Sequence, residues 1–173
     1  MFPSGEKWWT VENQGTNSVS KPVNPPQYHL PATVDDKGRL NTPSAAVSYF
    51  EAAGYTEFFC TTLDDRMALI YPMEVWSRNL ELMANAREHA SAAKRYAFKA
   101  RANGGEVKLD KAGRILLPAN LRAVIDIEKQ PVWLDFHNGV VKVMTKPVYD
   151  AEMQMARAHA ADDQAALEGM GFI

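Results

Sequence analysis

Cysteine is nearly absent from this chain of 173 residues, where Cys60 stands alone. An intramolecular disulfide is therefore excluded, and Cys60, beside Phe58 and Phe59, reads as a small buried hydrophobe. No apolar run approaches the length needed to span a bilayer, so no transmembrane helix is expected. The opening residues lack the continuous apolar core of a secretory signal, and the expected compartment is the cytoplasm. A large charge of one sign is missing as well, the net charge being −2. The four histidines, His29, His89, His137 and His159, have no partners at zinc-site spacing, and no Gly-rich phosphate loop occurs. No metal, no cofactor and no enzymatic activity are expected.

What is present is ordinary in amount, with hydrophobic residues at 46% and charged residues at 23%, enough for a globular core. The charge is unevenly placed. Arg78 to Arg101 carries a net +4, and Asp150 to the end carries a net −4, so a mildly acidic protein can still present a basic face.

The most informative feature is an internal repeat. Val34-Asp35-Asp36-Lys37-Gly38-Arg39-Leu40-Asn41-Thr42-Pro43 and Leu109-Asp110-Lys111-Ala112-Gly113-Arg114-Ile115-Leu116-Leu117-Pro118 place Asp, Gly, Arg and Pro in register at an offset of 75. After each motif comes a short helical stretch, with the proline expected in its first turn, where a missing N–H costs nothing. Two strand-like runs follow in each copy: 57–62 with 67–71, and 132–136 with 140–145. Asp64-Asp65 joins the first pair and His137-Asn138-Gly139 the second, and Asn-Gly between β-rich runs predicts a tight hairpin. Pro72 and Pro147 then open further helices. Each unit reads strand, turn, strand, short helix, hairpin, helix.

Residues 1–27 carry four prolines and little periodicity, and read as a flexible arm in which Trp8 and Trp9 are a candidate contact for a protein partner. Residues 28–103 form the first repeat plus a helical segment, and residues 104–173 the second repeat plus a C-terminal helix. The stretch Met73–Asn103 is helix-prone, either as one helix or as two broken near 85–91. The acidic pairs Asp64-Asp65 and Asp162-Asp163 fit a hairpin tip and a solvated helix face better than catalysis.

In the repeated motif, Asp35 and Asp110 can accept hydrogen bonds from turn N–H groups, and Gly38 and Gly113 can take the positive φ that closes the turn. Arg39 and Arg114 follow at the turn edge, where a guanidinium suits a phosphate or the guanine edge in the major groove. A turn by itself needs Asp and Gly but not Arg, so two arginines in register favour DNA contact. Lys37 and Lys111 are placed for phosphates.

The paired motifs Asp35…Arg39 and Asp110…Arg114 resemble those of the MraZ family, as do Leu69-Ile70-Tyr71-Pro72 ahead of Trp76 and the run Ile115 to Arg122. The resemblance spans roughly residues 28–150. It implies an α+β fold in which tandem SpoVT-AbrB-like, swapped-hairpin repeats form a pseudo-symmetric β-barrel-like core with flanking helices. It further implies a cytoplasmic, nucleoid-associated regulator of cell-division and cell-wall genes that binds repeated promoter elements in double-stranded DNA as a ring-like homo-oligomer. On that reading the DNA-binding residues are Arg39, Arg114, Lys37 and Lys111, and Asp35, Gly38, Asp110 and Gly113 shape the loops. One position departs from the pattern: Val47 stands where the first repeat should carry the counterpart of Arg122. Two rivals keep the fold, an oligomeric scaffold without DNA recognition and an antitoxin-like relative whose arm orders on a partner protein.

Overall fold

The structure, a computed structural model, describes residues 23–173. Most of the expected arm, including Trp8 and Trp9, lies outside the described residues; within them, Val23 packs against the core. The elements run β1 (Leu30–Val34), β2 (Arg39–Asn41), α1 (Ser44–Ala53), β3 (Glu57–Thr61), β4 (Ala68–Pro72), α2 (Met73–Ala84), α3 (Ala90–Ala102), β5 (Gly105–Lys108), β6 (Arg114–Leu116), α4 (Ala119–Ile125), β7 (Gln130–His137), β8 (Val140–Thr145) and α5 (Lys146–Glu168). The repeat is thus an architecture written twice, as expected.

The eight strands join one antiparallel sheet in the order β5-β3-β4-β8-β7-β1-β2-β6. A bridge between Leu109 and Ile115 brings the two edges together, so the sheet is nearly closed into a barrel. The α+β, barrel-like core of two repeats is what forms.

The pairing is exchanged between repeats. The first repeat's β1 pairs with β7 of the second, and the second repeat's β5 pairs with β3 of the first. Two further pairings lie on the pseudo-dyad, where equivalent residues face each other: Leu40 opposite Ile115 in β2–β6, and Ala68 opposite Val143 in β4–β8. Alternation decides what is inside. Val34, Leu40, Phe58, Ile70, Ile115, Val132, Leu134 and Val143 are at most 2% exposed and fill one core. Neither repeat closes that core alone, because each lends a hairpin to the other.

The outer faces are covered by helices docked through aromatic stacks. Trp76 of α2 lies flat on Phe59, ring centroids 4.2 Å apart, and Tyr149 of α5 stacks on Trp133 at 4.8 Å. The helix-prone stretch after Pro72 resolves as two helices, separated by a 3-10 turn at Arg87–His89. The Asn85 side-chain amide donates to the Glu81 carbonyl and ends α2. Pro43, Pro72 and Pro118 stand one position earlier than expected, preceding their helices, and only Pro147 lies in a first turn.

The hairpin tips follow their sequence signals. Asn138 and Gly139 both take positive φ, at 51° and 75°, which is the two-residue turn that Asn-Gly predicts. Asp64 accepts from the N–H groups of Arg66 and Met67, and Asp65 pairs with Lys99, so the acidic tip is structural. Cys60 is fully buried, and burial pushes its thiol well above the ordinary range, as befits an inert core residue. Among the described residues no helix is long and apolar enough to cross a membrane.

Candidate nucleic-acid interface

Each Asp-x-x-Gly-Arg loop is a tight hairpin turn organised by its aspartate. Asp35 Oδ1 accepts hydrogen bonds from the backbone N–H groups of Lys37 and Arg39, both at 2.9 Å. The Gly38 N–H donates to the Asp35 carbonyl at 3.1 Å, and Gly38 takes φ +77°. The second loop is the same construction: Asp110 Oδ1 accepts from the N–H groups of Ala112 and Arg114, and Gly113 takes φ +71°. This is a turn followed by one left-handed glycine, the form that joins strands through a three-residue loop.

The Arg39 backbone N–H holds the Asp35 carboxyl down at about 2, against an ordinary 3.8; burial opposes this, and the Arg39 guanidinium and Lys37 N–H reinforce it. Asp110 is lowered for the same reasons, with the Arg114 N–H foremost. A depressed folded pKa contributes stability above the unfolded value, lost as pH falls through the folded one. Both loops therefore stay formed as pH falls through 3.8. A carboxyl-carbon NMR titration should place the Asp35 midpoint near 2, and a midpoint at 3.8 would show that the hydrogen bonds are not kept in solution.

The arginines contribute to the turn as well, contrary to the sequence argument that a turn has no need of them. Arg39 Nε donates to Asp35 Oδ2 at 2.7 Å, and Arg114 reaches Asp110 Oδ2 through Nε and Nη2, both at 2.9 Å. A guanidinium has five N–H donors, so this pairing orients the group without exhausting it. Partly exposed ion pairs of this kind add little stability. Their larger effect is to hold a cation in one place at the turn edge.

Each loop is braced by the other repeat. Leu117 N–H donates to the Gly38 carbonyl at 3.0 Å, and the equivalent Thr42 N–H donates to Gly113 at 3.1 Å. Arg122, on α4, lies directly over Gly38, held by the Leu117 carbonyl at 3.0 Å and by Glu128. Val47, its counterpart on α1, lies over Gly113, a Cβ built there standing 3.2 Å from Val47 Cγ2. The departure at Val47 is thus a packing difference: an apolar contact braces one loop and a bonded guanidinium the other. Nothing local in the sequence announces this role for Arg122. Its signal is the offset of 75, which pairs it with Val47 once the repeats are known to exchange hairpins.

The strand pair β2–β6 brings the loops together. Leu40 and Ile115 point inward and are fully buried, so Arg39, Asn41, Arg114 and Leu116 share the outward face. Arg39 and Arg114 are two residues apart across the ladder, about 8 Å between Cα atoms. Leu116, directly opposite Arg39 in the ladder, is 54% exposed. The lysines are not equivalent: both are exposed, but the counterpart of Lys37 is Ala112 and that of Lys111 is Asp36. All eight predicted residues thus lie on two neighbouring turns, with the arginines symmetric and the lysines not. Among the described residues no three His, Cys, Asp or Glu side chains are grouped to hold a metal ion.

Comparison with known proteins finds similar sequences elsewhere. Residues 102–139, containing the second loop, match the family described as "MraZ protein, putative antitoxin-like". A transcriptional regulator MraZ of Moorella thermoacetica is 36% identical over 109 residues, covering 61% of this chain and 70% of that protein. One from Herpetosiphon aurantiacus is 38% identical over 104 residues, 58% of this chain and 67% of its own length. A third, from Acidobacterium capsulatum, is 28% identical over 138 residues, 80% of this chain and 94% of the relative.

Proposed function

The chain belongs to the MraZ family, and from that premise we propose that it is a transcriptional regulator that binds specific promoter sequences in double-stranded DNA through its two Asp-x-x-Gly-Arg loops. The relatives bear the name of transcriptional regulators. The observation that carries the DNA reading is the β2–β6 ribbon, which presents Arg39 and Arg114 about a pseudo-dyad on one outward face. A two-stranded ribbon enters the major groove, and a carboxylate-oriented guanidinium suits guanine or phosphate. Lys37 and Lys111 would meet phosphates, while Asp35, Gly38, Asp110 and Gly113 keep the loops in shape.

A single pair of loops on a chain of net charge −2 makes few contacts. A homo-oligomeric ring that repeats the loops along repeated promoter elements supplies the missing affinity by avidity. On this reading residues 28–103 and 104–173 are the two repeat units, the protein works on the nucleoid in the cytoplasm, and its targets are cell-division and cell-wall genes. The scaffold alternative draws support from one feature: both guanidiniums are already paired with their own loop's aspartate.

The test is a titration of promoter DNA from upstream of the protein's own gene at several salt concentrations, beside Arg39→Ala and Arg114→Ala. Each variant should lose about 1–3 kcal/mol of binding per engaged loop, and one unit of salt slope if its contact is a phosphate. Absence of wild-type binding at low salt, with the oligomer intact, would establish the scaffold instead.

A further inference from the structure

We propose that Asn41 and Leu116 are specificity-determining residues of the β2–β6 ribbon, Asn41 reading an adenine edge and Leu116 a thymine methyl in the major groove. The proposal rests on the DNA reading above and says which bases lie under the ribbon.

The register places these side chains. Leu40 pairs with Ile115 and both are buried, so Asn41 faces Arg114 and Leu116 faces Arg39 on the outer surface. Backbone bonds flank these pairs, from Leu117 N–H to Gly38 O and from Thr42 N–H to Gly113 O. Arg39–Leu116 and Asn41–Arg114 are therefore non-hydrogen-bonded pairs, the kind with Cα atoms about 4.5 Å apart and side chains closest. The four side chains make a patch about 7 Å long, roughly two base-pair steps. Each loop runs directly into its arginine and the strands are antiparallel, so the loops close the two ends of the patch. Helices α2 and α5 pack on β3, β4, β7 and β8, while Asn41 and Leu116 are exposed.

The chemistry of each side chain selects its base. A lone exposed leucine needs no explanation on most surfaces. Opposite an arginine aimed at DNA, however, Leu116 cannot bond a phosphate, and its match is the apolar group that the major groove displays, the thymine C5-methyl. Asn41 Nδ2 donates to Thr33 Oγ1 on β1 at 3.0 Å, which fixes the amide. Its second N–H and its Oδ1 remain, and one donor beside one acceptor fits the N7 and N6 amine of adenine.

The two residues also break the symmetry of the ribbon. Asn41 and Leu116 are equivalents at the offset of 75, as are Arg39 and Arg114. The arginines present one chemistry about the pseudo-dyad, and the amide and the leucine present two. The counterpart of Thr33 is Lys108, which pairs with Glu57 at 2.6 Å. The DNA under one chain is therefore not palindromic where these residues touch it, and the chain sits on it in one orientation.

The test uses duplex DNA from upstream of the protein's own gene in three forms: unmodified, with uracil for thymine, and with 7-deazaadenine for adenine. The first replacement removes the C5-methyl and the second the N7 acceptor. By fluorescence anisotropy on the full chain, uracil should weaken wild-type binding about three- to fivefold, the effect of one buried methyl. The 7-deazaadenine duplex should bind about five- to tenfold more weakly, the effect of one hydrogen bond. Leu116→Ala should abolish the uracil penalty and keep the other, and Asn41→Ala should do the reverse. Both positions are exposed, and an unchanged thermal unfolding curve will confirm the fold. A penalty that is equal in wild type and variant, or absent from wild type, overturns that residue's assignment and leaves the DNA reading intact. Absence of wild-type binding to the unmodified duplex at low salt overturns the DNA reading, and this proposal with it.

Discussion

Gly104→Ala is expected to destabilise the protein by about 3 kcal/mol, lowering the thermal midpoint by roughly 6–12 °C. Gly104 ends the α2–α3 excursion and returns the chain to the barrel at β5. A Cβ there would stand 2.5 Å from the Ala100 carbonyl oxygen, 2.7 Å from that of Cys60 and 2.8 Å from Phe59 Cζ. Two of these three atoms are backbone, and both are committed. Ala100, fully buried, accepts a 2.8 Å hydrogen bond from the Thr61 hydroxyl, which ties α3 to the end of β3. Phe59 is held from its other side by Trp76. Relief must come from lifting α3 off the sheet, which would expose Ala100 and break its hydrogen bond from Thr61. Chemical denaturation at one fixed protein concentration measures this, because association would otherwise change the apparent midpoint. A loss under about 0.5 kcal/mol, the range of an ordinary surface substitution, would show that α3 does not dock this closely in solution.

Gly38→Ala should cost about 2–3 kcal/mol, and Gly113→Ala, its counterpart in the other repeat, about 1–2. Both glycines have positive φ, +77° and +71°, so both pay a similar backbone strain. They differ in what lies above them. A methyl on Gly38 would overlap the Cδ, Nε and Cζ of Arg122, a side chain pinned by Leu117 O and Glu128. A methyl on Gly113 meets only Val47 Cγ2, at 3.2 Å, which a small shift accommodates. In an Arg122→Val background the first loop acquires the neighbour the second already has. The Gly38→Ala penalty should then fall to that of Gly113→Ala, a coupling visible in a double-mutant cycle. Equal penalties in both backgrounds would place the cost in the backbone alone and remove Arg122 from the bracing of the loop.

The turns were the most legible part of the molecule. Asn138-Gly139 announced its hairpin, Asp35…Gly38 and Asp110…Gly113 their loops, and Pro43 and Pro118 their helix starts, within one residue. Each depends on dihedral preferences and hydrogen bonds within about four residues, which local composition specifies. The break in the long helical stretch was less clear, because its alanines favour helix on both sides of Asn85 and the stop is a single side-chain bond. The place of Arg39 and Arg114 at the turn edges was legible, but their pairing with Asp35 and Asp110 was not. Asp and Arg four apart in a turn meet only once the loop has closed.

The sequence by itself determined that one unit is written twice, with its order of elements and the chemistry of its turns, since all of these are local. Only the tertiary structure decided that β1 crosses to β7 and β5 to β3, that Leu40 faces Ile115 on a dyad, and that Arg122 and Val47 brace each other's repeats. The reason is burial. A five-residue strand alternating apolar and polar is compatible with many partners, and the choice among them belongs to the arrangement that encloses Phe58, Leu134 and their neighbours from both repeats in one core.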